Sequence, residues 1–422
     1  MNATATGVRK EYERCLARLE EEEHGNYDFK AMYESLNSQN VHLDRGSFLR
    51  RTFIDESEHH GRGLFAAEDI KAGELVFVEK ATFMPNQYEP LRASASLYAM
   101  MVRQLCDNPS LANTLLKMHP GEEYQRSGLE GTIVDSVPIV DVFLVEGIRT
   151  KNCFSLPLST LDDTKQSGQE GRLAKGLWVH AACMNHSCVP NTMRSFLGDM
   201  IISRATKNIA KGEELFQVYV PVKPLIDART LQYKNSWGFE CNCPLCMIER
   251  TSPDSMLAKR VEVLNTVEKA CNKRNSTKGL VPDSTIRNIE KLQKQLEDLH
   301  EPEVFDGMPR LMLVYPCNWL VEAYRGRKNW PKVIRYAMRV VRNFGFNVPL
   351  DENAEWDPRA MYANTTSYSL MTIHVVASLR RLAQAYEESG RKKMAGWCRE
   401  AANTGYTMVT GFQNDMTGMD YE

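Results

Sequence analysis

No stretch of this sequence runs to the roughly 18 consecutive apolar residues that a membrane-spanning helix needs, and a spanning segment is excluded. The first residues, Met1 to Arg14, have no apolar core of the kind a secretory leader carries, so export is not expected. Neither sign of charge dominates: the formal net charge is -2 and the sequence pI about 6.5. No global basic field draws the chain to nucleic acid or to an anionic membrane, and neither is expected as a partner. No basic targeting cluster is visible, which leaves a cytoplasmic and/or nuclear location. Eleven cysteines in a chain without an export signal point to a reducing compartment, where clustered thiols bind metal more often than they form disulfides. What is present is ordinary for a globular protein: 43% hydrophobic and 25% charged residues over 422 positions, room for roughly two to three domains.

Taken in order, the pattern divides into three stretches. Residues 1–45 read as a helical segment, with helix over 8–36 and a solvated acidic run at Glu20-Glu21-Glu22-Glu23. Residues 46–250 are mixed. Candidate strands are Phe48–Ile54, Gly63–Ala67 and Leu75–Ala81, with a turn at Lys71-Ala72-Gly73. A helical insertion occupies about 85–150: helix over 89–118, a polar loop over 119–136, and helix again through Val140–Glu146. A polar loop is expected over 160–175, followed by short strands to about 220. Residues 251–422 are helical throughout, with apolar spacing of three and four over 255–274, 284–300, 309–326, 329–344, 365–389 and 391–411. Ala383-Gln384-Ala385-Tyr386 before a turn suggests tetratricopeptide-like pairs, although no strict 34-residue repeat is present. The fold class is therefore α+β, followed by an all-α C-terminal region.

Four local features carry chemistry. The heptad Asn185-His186-Ser187-Cys188-Val189-Pro190-Asn191 offers amide, imidazole and thiol groups in a turn that avoids regular structure. Alone it also fits a satisfied buried Asn-His pair. Gly61-Arg62-Gly63 lets the backbone approach a ligand, but lacks the helix and third glycine of a dinucleotide fold. Lys211-Gly212 turns into a strand that delivers Tyr219, by default a packing residue. Cys241-Asn242-Cys243-Pro244-Leu245-Cys246 places three thiols in six residues, the pattern of a tetrahedral zinc site short of one ligand. No sequence neighbour supplies the fourth. Cys188 is the best distant candidate, and chance clustering of buried thiols is the bland alternative.

The order Gly61-Arg62-Gly63, Asn152-Cys153-Phe154, Asn185-His186-Ser187-Cys188, Gly212-Glu213-Glu214-Leu215 to Tyr219, then the cysteine cluster resembles a SET-domain protein lysine methyltransferase. It is most similar to the SET-and-MYND subgroup and to fungal SET proteins with helical, tetratricopeptide-like regions. The resemblance is close over residues 46–250 and loose beyond. It implies small β-sheets, with the Asn-His-Ser-Cys segment meeting the Tyr219 segment in a knot-like crossing. S-adenosylmethionine would lie against the backbone of Gly61, Arg62 and Gly63, with Asn152, Asn185 and His186 on its polar groups, Tyr219 beside them and Phe239 against the adenine. Tyr219 would orient the reacting groups, and Tyr219 with Trp237 would line a lysine channel. Cys188, Cys241, Cys243 and Cys246 would bind one zinc in a post-SET segment. The substrate implied is a lysine of a protein or peptide. Residues 82–100 contain no cysteine, so no MYND finger is inserted. Ser155 stands where fungal relatives usually have Gly, and Trp237 where relatives usually have a channel Tyr. A larger ring there keeps two alternatives open: a non-methylating scaffold, or an enzyme acting on a small molecule.

Overall fold

The structure is a computed structural model that describes residues 2–37, 41–86, 89–157, 159–165, 174–272, 281–301, 303–363 and 368–413. Two small sheets form the centre. The first contains β1 (Thr52–Ser57), β2 (Gly61–Ala66), β4 (Asn185–His186) and β7 (Glu214–Gln217). The second contains β3 (Leu75–Lys80), β5 (Thr192–Leu197) and β6 (Met200–Ala205). The first sheet runs β1-β2-β7-β4 and the second β3-β6-β5, all pairings antiparallel except one. The exception joins β4 and β7 in parallel, with Phe216 beside Asn185 and Gln217 beside His186. Between the sheets lies an apolar layer that includes Leu64, Phe77, Trp178, Ile201 and Leu215. This is the α+β arrangement expected, with its helical insertion and all-α C-terminal region.

The insertion consists mainly of helices Pro90–Asp107 and Val142–Asn152. Both begin at carboxylate caps: Glu89 accepts from the amides of Leu91 and Arg92, and Asp141 from those of Phe143 and Leu144. Their buried faces (Leu97, Met101, Leu144, Ile148) meet around Phe83 and Leu177. The C-terminal helices Asp254–Asn272, Asp283–Asp298, Val314–Arg325, Trp330–Asn343, Ile373–Glu388 and Lys392–Thr410 pack each against the next. The last returns to the second sheet. Arg204 on β6 donates through Nε to the Gly411 carbonyl at 2.6 Å and through Nη1 to that of Gly73 at 3.0 Å. Among the described residues no helix is long and apolar enough to cross a membrane.

Several local expectations need correction. The N-terminal helix is two, Asn2–His24 and Phe29–Ser35. Gly25 adopts φ +68° where a Cβ would meet the Phe48 ring at 3.0 Å, and Asp28 caps the second helix through the Ala31 amide. The acidic run is not wholly solvated: Glu21 is buried, held by Arg18, Arg45 and the Gly46 amide. The first strand starts at Thr52 rather than Phe48, because Phe48 pairs with Val78 across to the other sheet. The helix over 89–118 stops at Asp107 and continues as a short turn and Ala112–Leu115. Within the expected loop over 160–175, Thr160–Lys165 is helical and Ala174 begins a strand paired with Phe154–Leu156. The rest of that loop lies outside the described residues.

Candidate active site and metal centre

The parallel contact between β4 and β7 is two residues long, and it organises the site. It lays Asn185 and His186 beside the strand that continues to Tyr219. The Tyr219 amide donates to His186 Nδ1 at 3.2 Å, which closes the crossing beyond the last ladder pair. The Tyr219 hydroxyl donates to the Met184 carbonyl at 3.1 Å. Packing among rings and buried chain pushes this phenol up to about 12, so at neutral pH it is a protonated donor and not a base. Arg194 lies beneath, donating to Gln217 Oε1 at 2.8 Å, to the Val218 carbonyl, and to the Tyr219 carbonyl at 3.0 Å. Nothing in the sequence marked Arg194. Its only signal is a cation in the strand Thr192–Leu197, otherwise mostly apolar.

Asn185 spends its NH2 group on the Arg62 carbonyl at 3.1 Å and on Glu214 Oε1 at 2.8 Å. Glu214 also accepts from Ser57 Oγ at 2.8 Å, which ties β1, β4 and β7 together. This arrangement changes the reading of Gly61-Arg62-Gly63. A Cβ on Gly63 would lie 2.6 Å from Glu214 Oε1, so that glycine makes room for a carboxylate rather than for a ligand. Gly61, at φ +71°, has open space where a Cβ would go.

One cavity of about 1130 Å³ gathers most of the residues singled out from the sequence. Gly61, Arg62, Asn152, Asn185, His186, Tyr219, Trp237 and Phe239 all line it. Gly63 stands behind them. Asn152 is not in a loop: it ends helix Val142–Asn152, and its NH2 group donates to the carbonyls of His119 and Ile148, both at 2.8 Å. Helix Ile226–Trp237 closes on Gly238 at φ +84°, a left-handed cap that turns the chain sharply into Phe239. One face of Phe239 stacks on Tyr233, with centroids 5.6 Å apart and planes at 5°. Trp237 lies 5.1 Å from the Tyr219 ring and donates through Nε1 to the Lys151 carbonyl at 3.2 Å. Two further thiols line the cavity, Cys153 and Cys183. Burial raises both, Cys153 to about 12, so neither presents a thiolate nucleophile near neutral pH.

Directly behind His186 lie four buried thiols, Cys188, Cys241, Cys243 and Cys246, with all sulfurs within 4.8 Å of one another. None is in a disulfide. Cys188 Sγ is 3.6 Å from that of Cys246 and 4.0 Å from that of Cys241. A tetrahedron of Zn–S bonds near 2.3 Å has edges of about 3.8 Å, so the set fits zinc. The fourth thiol, Cys188, comes from the heptad Asn185–Asn191, 53 residues before Cys241. Around the thiols stand groups the sequence did not reveal. Tyr233 Oη is 3.6 Å from Cys188 Sγ, and the buried Arg229 reaches Cys246 Sγ at 3.9 Å while pairing with buried Glu249.

Residues 61–220, the span from the Gly-Arg-Gly strand to just past Tyr219, match the SET domain family model. This region is a SET domain. A Gibberella zeae protein called a methyltransferase is 29% identical over 310 residues, 67% of this chain and 42% of its own length. Gallus gallus N-lysine methyltransferase SMYD2 is 22% identical over 234 residues, 54% of this chain and 49% of its own. Human protein-lysine N-methyltransferase SMYD4 is 28% identical over 166 residues, 36% and 20% respectively. The chain thus spans less than half the length of each of these relatives. A solved structure, the SET domain of LSMT bound to lysine and AdoHcy, covers 85% of this chain and 87% of its own at 13% identity, with a TM-score of only 0.30. That likeness is too distant to carry weight. In this SET domain, the Asn185-His186 segment and the Tyr219 strand form the crossing; Cys188 lies within the first of these segments, and Cys241, Cys243 and Cys246 follow beyond the matched span.

Proposed function

We propose that this chain is an S-adenosylmethionine-dependent protein lysine N-methyltransferase. The observation that carries the reading is the parallel β4–β7 contact, which brings Asn185, His186 and Tyr219 to one wall of a single cavity. The names of the relatives point the same way. On this reading the SET unit is 46–250 with an insertion over about 85–150, preceded by the helical segment 1–45 and followed by a helical domain over 251–422.

When bound, S-adenosylmethionine would supply a sulfonium methyl group for in-line attack by a neutral amine, the N–C bond forming as the C–S bond breaks and S-adenosylhomocysteine leaving as a neutral thioether. Asn185 spends only its donors inside the protein, which leaves Oδ1 free to accept from the cofactor's ammonium. His186, fixed through Nδ1 by the Tyr219 amide, holds the crossing in register. Gly61 and Arg62 offer backbone at the cavity wall, and Asn152 offers Oδ1. Phe239 offers its outer face to the adenine, its inner face being covered by Tyr233. Trp237 and Tyr219 form an aromatic wall that excludes water from the incoming side chain. Desolvation there favours the uncharged amine, and holding it in place supplies much of the rate. Zinc bound by Cys188, Cys241, Cys243 and Cys246 would pin the Phe239 segment to the crossing, so that metal binding completes the site.

The test is transfer of an isotope-labelled methyl group from S-adenosylmethionine by the zinc-replete chain to a broad set of lysine peptides and to denatured protein. Methyl-lysine in the hydrolysate is the expected product. Label found on no lysine under saturating cofactor would overturn the proposal.

A further inference from the structure

Although the chain as a whole carries a formal charge of -2, its cavity is strongly basic. Among the described residues, seven Lys and Arg line it against one carboxylate, that of Glu122. Four of the seven donate mainly to neutral acceptors, which leave their charge uncompensated. Arg62 donates to the Lys117 carbonyl, Arg126 to those of Leu116 and Met118, Lys151 to that of Ser236, and Arg194 beneath Tyr219. Arg149 alone meets a carboxylate, Glu146 at 2.7 Å. The side-chain ammonium groups of Lys117 and Lys175 make no hydrogen bond or ion pair with any described residue, and both residues line the cavity. The Glu214 carboxylate, beside the cavity residue Asn185, is turned to Ser57 and Asn185.

A concave site of this sign repels a basic segment and focuses an acidic one. Binding the cofactor does not reverse this: with a sulfonium, an ammonium and a carboxylate, S-adenosylmethionine adds one net positive charge. We infer that the site takes target lysines flanked by Asp and Glu, with Lys117 and Lys175 as the cations that read those carboxylates. The inference rests on the proposed methyl transfer and names its substrate class. The same field also favours the reaction, because positive neighbours push a lysine ammonium toward the neutral amine that must attack. An acidic peptide fits better than a nucleic acid. The cations line a concave pocket that must admit one side chain, whereas a phosphate backbone is held along an extended basic groove.

The experiment uses the zinc-replete chain and three peptide sets with a central lysine and acidic, neutral or basic flanks. Binding is read by fluorescence anisotropy with S-adenosylhomocysteine present, and methyl transfer is read in parallel. Acidic peptides should bind on the order of tenfold tighter than neutral ones near 0.1 M salt, with the gap closing as salt rises. In K117E/K175E the ranking should flatten or invert. If that variant loses zinc or its circular dichroism spectrum, the single truncations Lys117→Ala and Lys175→Ala carry the test and should each shrink the gap. Equal or better binding of neutral or basic peptides, no binding of any peptide, a ranking unmoved in the variants, or displacement of acidic peptides by single-stranded RNA would overturn the inference. The two readings separate. Acidic preference in binding without transfer to any lysine would sink the methyltransferase and leave the acidic-ligand site. Transfer favouring basic flanks would do the reverse.

Discussion

Replacing Glu79 with Gln should change how stability depends on pH. Glu79 lies on β3 at 5% exposure, and its carboxylate accepts from the amides of His180 at 2.9 Å and Ala181 at 2.8 Å. These hold the turn Ala181–Cys183, which leads to Asn185 and presents the Met184 carbonyl that takes the Tyr219 hydroxyl. Burial raises the carboxyl from an ordinary 4.5 to about 7. The native state therefore keeps this proton longer than the unfolded chain does. Its contribution is most favourable below the ordinary value and is lost as pH rises through about 7. At about 1.4 kcal/mol for each pH unit, the loss comes to about 3 kcal/mol. The neighbouring His180 is pushed down to about 4 by burial and contributes with the opposite sign, gaining stability as pH rises from about 4 through its ordinary 6.5. Only the difference between wild type and Glu79→Gln isolates the carboxyl. Gln offers one oxygen and turns an NH2 group toward the other amide, which costs about 1–3 kcal/mol at any pH. The variant should be clearly weaker near pH 5, and the two should approach or cross near pH 8. Urea unfolding at a series of pH values, followed by tryptophan fluorescence, measures the difference. A difference that stays constant across that range would refute the reasoning.

Three further outcomes are expected. Arg229→Met strands Glu249 without its buried partner and removes the cation beside Cys246, and should cost about 3–5 kcal/mol in urea unfolding; Arg229→Met with Glu249→Leu should recover part of it. Cys188→Ser should lower bound zinc well below one per chain by atomic emission, whereas Cys398→Ser, a buried thiol that is not part of the cluster, should leave it unchanged. Gly411→Ala, at φ +92° and with its new Cβ 2.1 Å from Ser195 Oγ, should loosen the last helix from the second sheet at a cost of about 2 kcal/mol or more, seen as a lowered melting temperature.

The features legible in the sequence are those whose chemistry is local. Three thiols in six residues announce a metal site whatever the fold, and periodic apolar spacing locates the C-terminal helices because each buries one continuous stripe. Long-range pairings were less legible. Phe48 alternates correctly for a strand running from it to Ile54, yet it pairs with Val78 in the other sheet, and no local pattern separates the two. Glu21 looks like part of a solvated run until Arg18 and Arg45 converge on it. Gly63 looks like a ligand cradle until Glu214 fills the space. The basic cavity was hidden most completely, because its cations come from separate strands and helices and are cancelled in the total by acids elsewhere on the surface.

The most direct measurement is calorimetric titration of the zinc-replete chain with S-adenosylhomocysteine. The account predicts one saturable site, lost in Asn185→Ala/His186→Ala and retained in Tyr219→Phe, because the tyrosine hydroxyl serves the amine rather than the cofactor's polar groups. A folded, zinc-loaded sample that takes up no S-adenosylhomocysteine, or whose binding survives loss of both Asn185 and His186, would contradict it.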